Sequence, residues 1–144
     1  MAYISPEKTK EIRNELKKQF PRKEGWKFSV RNDNHTKIYI NILEAPVRFN
    51  EKDYIQINYY YTENYENSET LKKIVNIANG CFLPEKEQNF DESVPMTDYF
   101  RVGWYIGISQ GDWDKPFKLI EKKLKNNVKK LKKMLFILFL CLSL

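Results

Sequence analysis

Four groups of residues in this chain have types and spacings that could do chemistry. The first is His35, the single imidazole, so any Ser-His or Cys-His catalytic pair has to use it. It sits in the polar run Asn32-Asp33-Asn34-His35, a solvated turn with nothing to tune its pKa, and reads as a structural or neutral surface residue. The second is Asp112-Trp113-Asp114-Lys115, in which two acids one residue apart suit a hard cation such as Mg²⁺, with Asp98 as a third carboxylate. The Glu-x-Lys strand that accompanies such a metal-dependent nuclease is missing. The competing reading is a turn whose Asp side chains cap backbone N–H groups while Trp113 covers the edge of the core.

The third group is aromatic: Tyr54, Tyr59, Tyr60, Tyr61 and Tyr65 could stack single-stranded bases, or face a protein partner. The fourth is a Lys-rich end. Nine lysines and one acid follow from Lys115 onward, which gives this stretch a charge of +8, while the remaining 114 residues carry −2. The net charge of +6 therefore belongs entirely to the tail, and the slightly acidic body offers no electrostatic funnel for nucleic acid. Lysine outnumbers arginine 20 to 5, although Arg is the residue suited to gripping phosphate with a planar fork. Cys81 and Cys141 lie far apart, so neither a disulfide framework nor a zinc site is spelled here. No Gly-rich phosphate loop, Walker sequence or nucleophile elbow is present either. No catalytic residue, metal ligand or cofactor follows from these patterns.

The elements that must position these groups are legible from periodicity. Ser5-Pro6 caps and opens a helix whose stripe is Ile12, Leu16 and Phe20, closed by Pro21. Alternation over 26–31 and 38–43, across the turn at 32–35, predicts an antiparallel hairpin. A third strand is expected within 53–62. Ser68 is expected to cap a second helix carrying Leu71, Ile74, Val75 and Ala78, with Asn79-Gly80 as its stop. The clearest strand is 99–109, with Phe100, Val102, Trp104, Ile106 and Ile108 on one face and Tyr99, Gly103, Tyr105 and Gly107 on the other. From Phe117 a last amphipathic helix is expected, ending in an apolar run over 134–144 that is too short to span a bilayer.

This order predicts an α+β fold: a small, mainly antiparallel sheet with helices packed on one face, plus an appended C-terminal helix. It divides the chain into a domain over 1–117 and a Lys-rich amphipathic helix with an apolar end over 118–144. The tail has three competing readings: docking on the body or pairing between two copies in a homodimer, lying on an anionic membrane, or a degraded extension. The opening residues lack the apolar core of a signal peptide, and the unpatterned cysteines suit the cytoplasm.

The run 95–106, Pro-Met-Thr-Asp-Tyr-Phe-Arg-Val-Gly-Trp-Tyr-Ile, followed after a Gly turn by Trp113-Asp-Lys-Pro-Phe117, resembles one of the large polyvalent protein-associated domain families. Weaker matches are the N-terminal helix from Ser5, the strand over 27–31 and a strand ending near Ala45-Pro46, where the family pattern has Gly-Pro. The resemblance covers roughly residues 3–117. It implies an accessory domain of a phage or conjugative element, one that helps the element establish itself or evade host defences, and it carries no catalytic residues across. The resulting expectation is a non-enzymatic protein that binds a host or element protein, with counter-defence as the expected role. The binding residues expected for it are Tyr99, Tyr105, Trp113 and Asp114, with the two tyrosines flanking a shallow groove left by Gly103 and Gly107 and Trp113 at its mouth; the competing reading is that a helix fills the groove and the motif is architectural. The alternatives are a metal-dependent nuclease or nucleotide-processing enzyme using Asp98, Asp112 and Asp114, and nucleic-acid binding through the C-terminal helix.

Overall fold

The computed structural model describes residues 2–93, 96 and 101–120. Its elements run α1 (Pro6–Gln19), β1 (Lys27–Asp33), β2 (Lys37–Ala45), β3 (Ile55–Ile57), α2 (Ser68–Ala78), β4 (Tyr105–Gln110) and β5 (Lys118–Leu119). The fold is α+β. Ser5 Oγ accepts a hydrogen bond from Lys8 N at 3.1 Å, and Pro6 takes the first helical position, so α1 starts where its capping residues say it should. Ile12 and Leu16 are fully buried from its inner face.

β1 and β2 form the antiparallel hairpin, with Val30 opposite Ile40 and Arg31 opposite Tyr39. Both central residues of its turn, Asn34 and His35, have positive φ, the conformation that matches the twist of the flanking strands. His35 has a backbone role here. Its N–H donates to Asn32 Oδ1 at 2.8 Å, its carbonyl accepts from Ile4 N, and the Asn32 amide reaches on to Ile4 O and Thr9 Oγ1. The hairpin tip is thereby tied to the start of α1.

The sheet order is β1-β2-β4-β3, and β5 continues alongside β2 beyond the end of β4. β2 pairs β4 and β5 in parallel, whereas β1–β2 and β3–β4 are antiparallel, so the sheet is mixed. The parallel centre follows from chain length: β2 and β4 are separated by a crossover that includes α2, long enough to return the chain in the same direction. Val30, Ile38, Ile40, Ile42, Ile106 and Ile108 point to one face and share a core with Leu16, Leu71 and Ile74 of the helices. Each such side chain contributes about 1.5–3 kcal/mol on burial.

Four expectations change at their edges. The strand expected within 53–62 is only three residues long. After Ile57 the Asn58 side chain accepts from Tyr60 N at 3.1 Å and Asn58 O accepts from Tyr61 N, so an Asn turn peels the chain off the sheet. The strand expected over 99–109 joins the sheet only from Tyr105; Val102 instead bridges Asp91, and Asn89 occupies the backbone of Trp104 on both sides: its Oδ1 accepts from Trp104 N at 2.9 Å and its Nδ2 donates to Trp104 O at 3.1 Å. The alternation itself holds where it is described, with Trp104, Ile106 and Ile108 buried and Tyr105 exposed; Tyr99 and Phe100 lie outside the described residues. α2 is capped one residue earlier than expected, at Asn67 in the left-handed conformation, while Gly80 closes it at φ +71. Finally, Phe117 does not open a helix. It is buried beneath the sheet, Lys118–Leu119 pair with Glu44 and Ala45, and the expected helix over the rest of the tail lies outside the described residues.

Candidate binding surfaces

The outer face of the sheet is built from the strand positions that alternate away from the core. One row crosses β1, β2, β4 and β3 as Ser29, Asn41, Ser109 and Gln56, residues directly opposite one another in the registers. The next row is Arg31, Tyr39 and Gly107. A side chain at 107 would collide with the Tyr39 ring, since its Cβ would lie 2.9 Å from Tyr39 Cδ1, so the glycine is what lets this ring lie across β4. Lys37 Nζ sits 4.4 Å and Arg31 Cζ 5.6 Å from the centre of the same ring, and two cations therefore converge on one tyrosine. All of these residues except Ser29 line a concavity of about 610 Å³ that runs from Arg31 and Asp33 to Tyr54 and Trp113.

Trp113 reaches that concavity from a short excursion between β4 and β5. Gln110, fully buried, anchors its root. Gln110 Oε1 accepts from Phe49 N and Asn50 N at 2.8 and 3.2 Å, and its Nε2 donates to Asn50 O and Lys52 O at 2.9 and 2.6 Å. Gly111 turns the chain out at φ +78, with its N–H on Ile42 O. Asp112 and Lys115 exchange backbone hydrogen bonds at 2.8 and 3.1 Å, and Phe117 N closes the loop on Asp53 O. Trp113 and Asp114 occupy the tip, and Trp113 is 79% exposed. Asp112 Oδ1 accepts from Trp113 N at 2.8 Å, which is the capping geometry of a turn. Among the described residues no three His, Cys, Asp or Glu side chains gather as a metal would need. Asp98 lies outside those residues.

A second hollow, of about 990 Å³, opens beside the other end of β4. Tyr59, Tyr60, Phe90 and Tyr105 wall it, and the indole of Trp104 backs it. Tyr59 Oη donates to Tyr60 Oη at 3.3 Å, Tyr60 Oη donates to Asp91 Oδ2 at 3.2 Å, and the two rings stand 4.5 Å apart. These bonds hold the Tyr60 hydroxyl well above the usual phenol pKa: the partner Tyr59 contributes most, with partial burial and the Asp91 charge adding to it. Asp91 is held below the usual carboxylate range chiefly by the Ser93 N–H on its Oδ1.

The structure thus divides the residues expected to bind. Tyr105, 46% exposed, belongs to the aromatic hollow, Trp113 belongs to the concavity of the outer sheet face, and Asp114 is exposed beside Trp113 at the tip of the turn and lines neither. Tyr99 lies outside the described residues. The space beside Gly103 is taken by Asn89 and Phe90 and that beside Gly107 by Tyr39, so the two glycines do not form a single groove. Sequence reading missed Asn41, Asn89 and Gln110. For Gln110 a signal existed: the alternation that points Trp104, Ile106 and Ile108 inward also points residue 110 inward.

Residues 4–88 match the family model for large polyvalent protein associated domain 29, which is well over half of the chain. The chain belongs to this family. No curated protein and no solved structure matches it. The domain 29 match takes in α1, the hairpin, β3 and α2, and with them the early, weaker motifs of the sequence-level resemblance. The two late motifs, at 95–106 and 113–117, lie beyond it, as do β4, β5 and the Trp113 turn. At Ala45, where a glycine was the expected pattern, the residue is fully buried and paired with Leu119.

Proposed function

We propose that this protein is a non-enzymatic accessory module of a mobile genetic element, working in the host cytoplasm by holding a protein partner in the aromatic hollow. The observation that carries this reading is the hollow itself: Tyr60, Phe90 and Tyr105 expose large ring surfaces together around one concavity, in a body whose charge is near neutral. Exposed aromatic surface gathered in one place is characteristic of protein interfaces, and tyrosine gives such a surface both apolar area and a hydroxyl. The Tyr59–Tyr60–Asp91 chain of hydrogen bonds holds the rings before a partner arrives, which lowers the ordering cost of binding. Membership of the polyvalent protein associated family supports the mobile-element setting, and counter-defence is the role proposed within it. The exposed free thiol of Cys81 suits a reducing compartment.

The test uses the full chain as bait in lysate of a bacterial host, alongside Tyr105→Ala, Tyr60→Ala and, as a control on the other surface, Trp113→Ala. Both tyrosines are exposed, so each truncation leaves the melting temperature within a few degrees. A partner retained by the parent and by Trp113→Ala, but lost with either tyrosine variant, is the expected result. Retention that survives both tyrosine changes contradicts the reading.

A further inference from the structure

The outer sheet face holds a polar group that the fold does not use. Asn41 is 5% exposed at the floor of the concavity, and its Nδ2 has no hydrogen-bond partner. Ser109 Oγ lies 2.8 Å from both Asn41 Oδ1 and Gly111 O, yet a hydroxyl has one proton to give. If that proton goes to the Gly111 carbonyl, the Asn41 amide turns over and donates to Ser109 Oγ, and its oxygen becomes the unused group. In either orientation one half of the amide is left over. Buried amides without partners cost about 1–3 kcal/mol, so such a group calls for something to meet it.

The surroundings say what. Gln56 lies in the same row and offers a second amide, Tyr54 and Trp113 offer free aromatic faces at the margin, and Arg31 and Lys37 converge one row away. Neither cation has a carboxylate within salt-bridge distance among the described residues. Adjacent rows on one face of a sheet are about 7 Å apart, two residues of strand rise, which is on the order of the distance from a nucleotide's base to its phosphate. Amides pair with the hydrogen-bonding edge of a base, aromatic rings stack on its face, and cations hold the phosphate. Two acids, Asp33 and Asp112, also line the concavity and oppose the anion. Asp112 is engaged with Trp113 N, but Asp33 stands opposite Lys37 across the hairpin.

We infer that the outer sheet face binds a nucleotide unit, its base over Asn41 and Gln56 and against Trp113, its phosphate at Arg31 and Lys37. The site is separate from the aromatic hollow and stands or falls independently of the protein partner. Its concavity falls within the roughly 300–1,000 Å³ range of small-molecule sites.

The test is fluorescence titration of the full chain with adenosine monophosphate, the other three ribonucleoside monophosphates, inorganic phosphate and a short oligoadenylate. Trp26 and Trp104 are buried and Trp113 is exposed, so quenching on stacking reports on Trp113. The expected result is saturable quenching by a nucleotide that phosphate alone does not reproduce. Asn41→Leu should weaken binding by about tenfold or more while leaving the fold intact, because Ser109 Oγ keeps Gly111 O as its acceptor and the other half of the amide has no partner to lose. Lys37→Ala should weaken it similarly, and Asp33→Asn should strengthen it. Tighter binding of the oligoadenylate than of the monomer assigns the site to single strands; equal binding assigns it to free nucleotides. Absence of quenching at millimolar nucleotide overturns the inference. So does quenching that survives Asn41→Leu, which is how binding through the lysine-rich tail would behave, and so does full competition by inorganic phosphate.

Discussion

Gly111→Ala lowers the melting temperature by roughly 6–12 °C, the equivalent of about 2–4 kcal/mol for a chain of this size. Gly111 has φ +78, where a side chain alone costs about 1–2 kcal/mol. The added Cβ would also press on the Asp53 carbonyl and lie 2.8 Å from Phe117 N. Those two atoms are hydrogen-bonded to each other, with Phe117 N donating to Asp53 O, so the methyl group drives into the bond that closes the excursion. Neither atom belongs to a flexible side chain, so relief requires the loop before β3 or the entry to β5 to move. Thermal unfolding followed by circular dichroism reads the effect. A change of less than about 3 °C, under 1 kcal/mol on the same scale, would show that the exit from β4 is softer than its geometry says.

Gln110→Leu costs a comparable or larger amount, about 3–5 kcal/mol, because the substitution strands two N–H groups and two carbonyls of the loop between β2 and β3, at about 1 kcal/mol each since three of the four bonds are only part-buried. The glutamine amide satisfies all four at once, and leucine has the size but none of the bonds. The loss is local before it is global, so trypsin should cut at Arg48 and Lys52 faster than elsewhere. Gln110→Glu separates packing from hydrogen bonding. The introduced carboxyl keeps the acceptor for Phe49 N but faces the Asn50 and Lys52 carbonyls, and it can bond them only when protonated. Its folded pKa is therefore raised above the unfolded value. The stabilisation it offers is present in full below the ordinary carboxylate range and is lost as pH rises through the raised value. A melting temperature for Gln110→Glu that is flat, or that rises with pH over this interval relative to the parent, contradicts the arrangement. Gln110 and Gly111 both hold the loop over 49–53 in place, Gln110 through Phe49, Asn50 and Lys52 and Gly111 by leaving room for the Asp53 carbonyl, so the double variant is expected to cost less than the two single costs combined.

What the sequence revealed depended on whether the signal was local. α1, the hairpin and the body of α2 announce themselves because their capping residues and apolar spacings act within a few residues of one another: Ser5-Pro6, the alternating isoleucines of β2, and Asn79-Gly80. The failures have non-local causes. Asn89 intercepts the backbone of Trp104 from 15 residues away and shortens a strand whose own pattern is faultless. Leu119 alternates with Phe117 into a sheet position beside Ala45, although the spacing of Phe117, Ile120 and Leu124 reads as helix. The parallel pairing of β2 with β4 rests on where a long crossover returns, which no short window contains. At the candidate surfaces, Trp113 and Tyr105 were visible as aromatic residues on the outward side of a patterned strand and its turn. Their assignment to two surfaces was not, since Tyr39 fills one space and Asn89 with Phe90 fills the other. Asn41 gave no signal at all: an outward-facing asparagine in a strand looks like ordinary solvated surface until its neighbours are in place.

The claim that the aromatic hollow meets a protein is tested most directly by placing a photo-crosslinking phenylalanine analogue at position 105 of the full chain, expressed in a bacterial host, with the same analogue at Lys23 as a control on the turn after α1. Irradiation should give one discrete adduct from position 105, identifiable by mass spectrometry as a protein and absent from the Lys23 control. No adduct from position 105, or the same collection of adducts from both positions, would contradict the account.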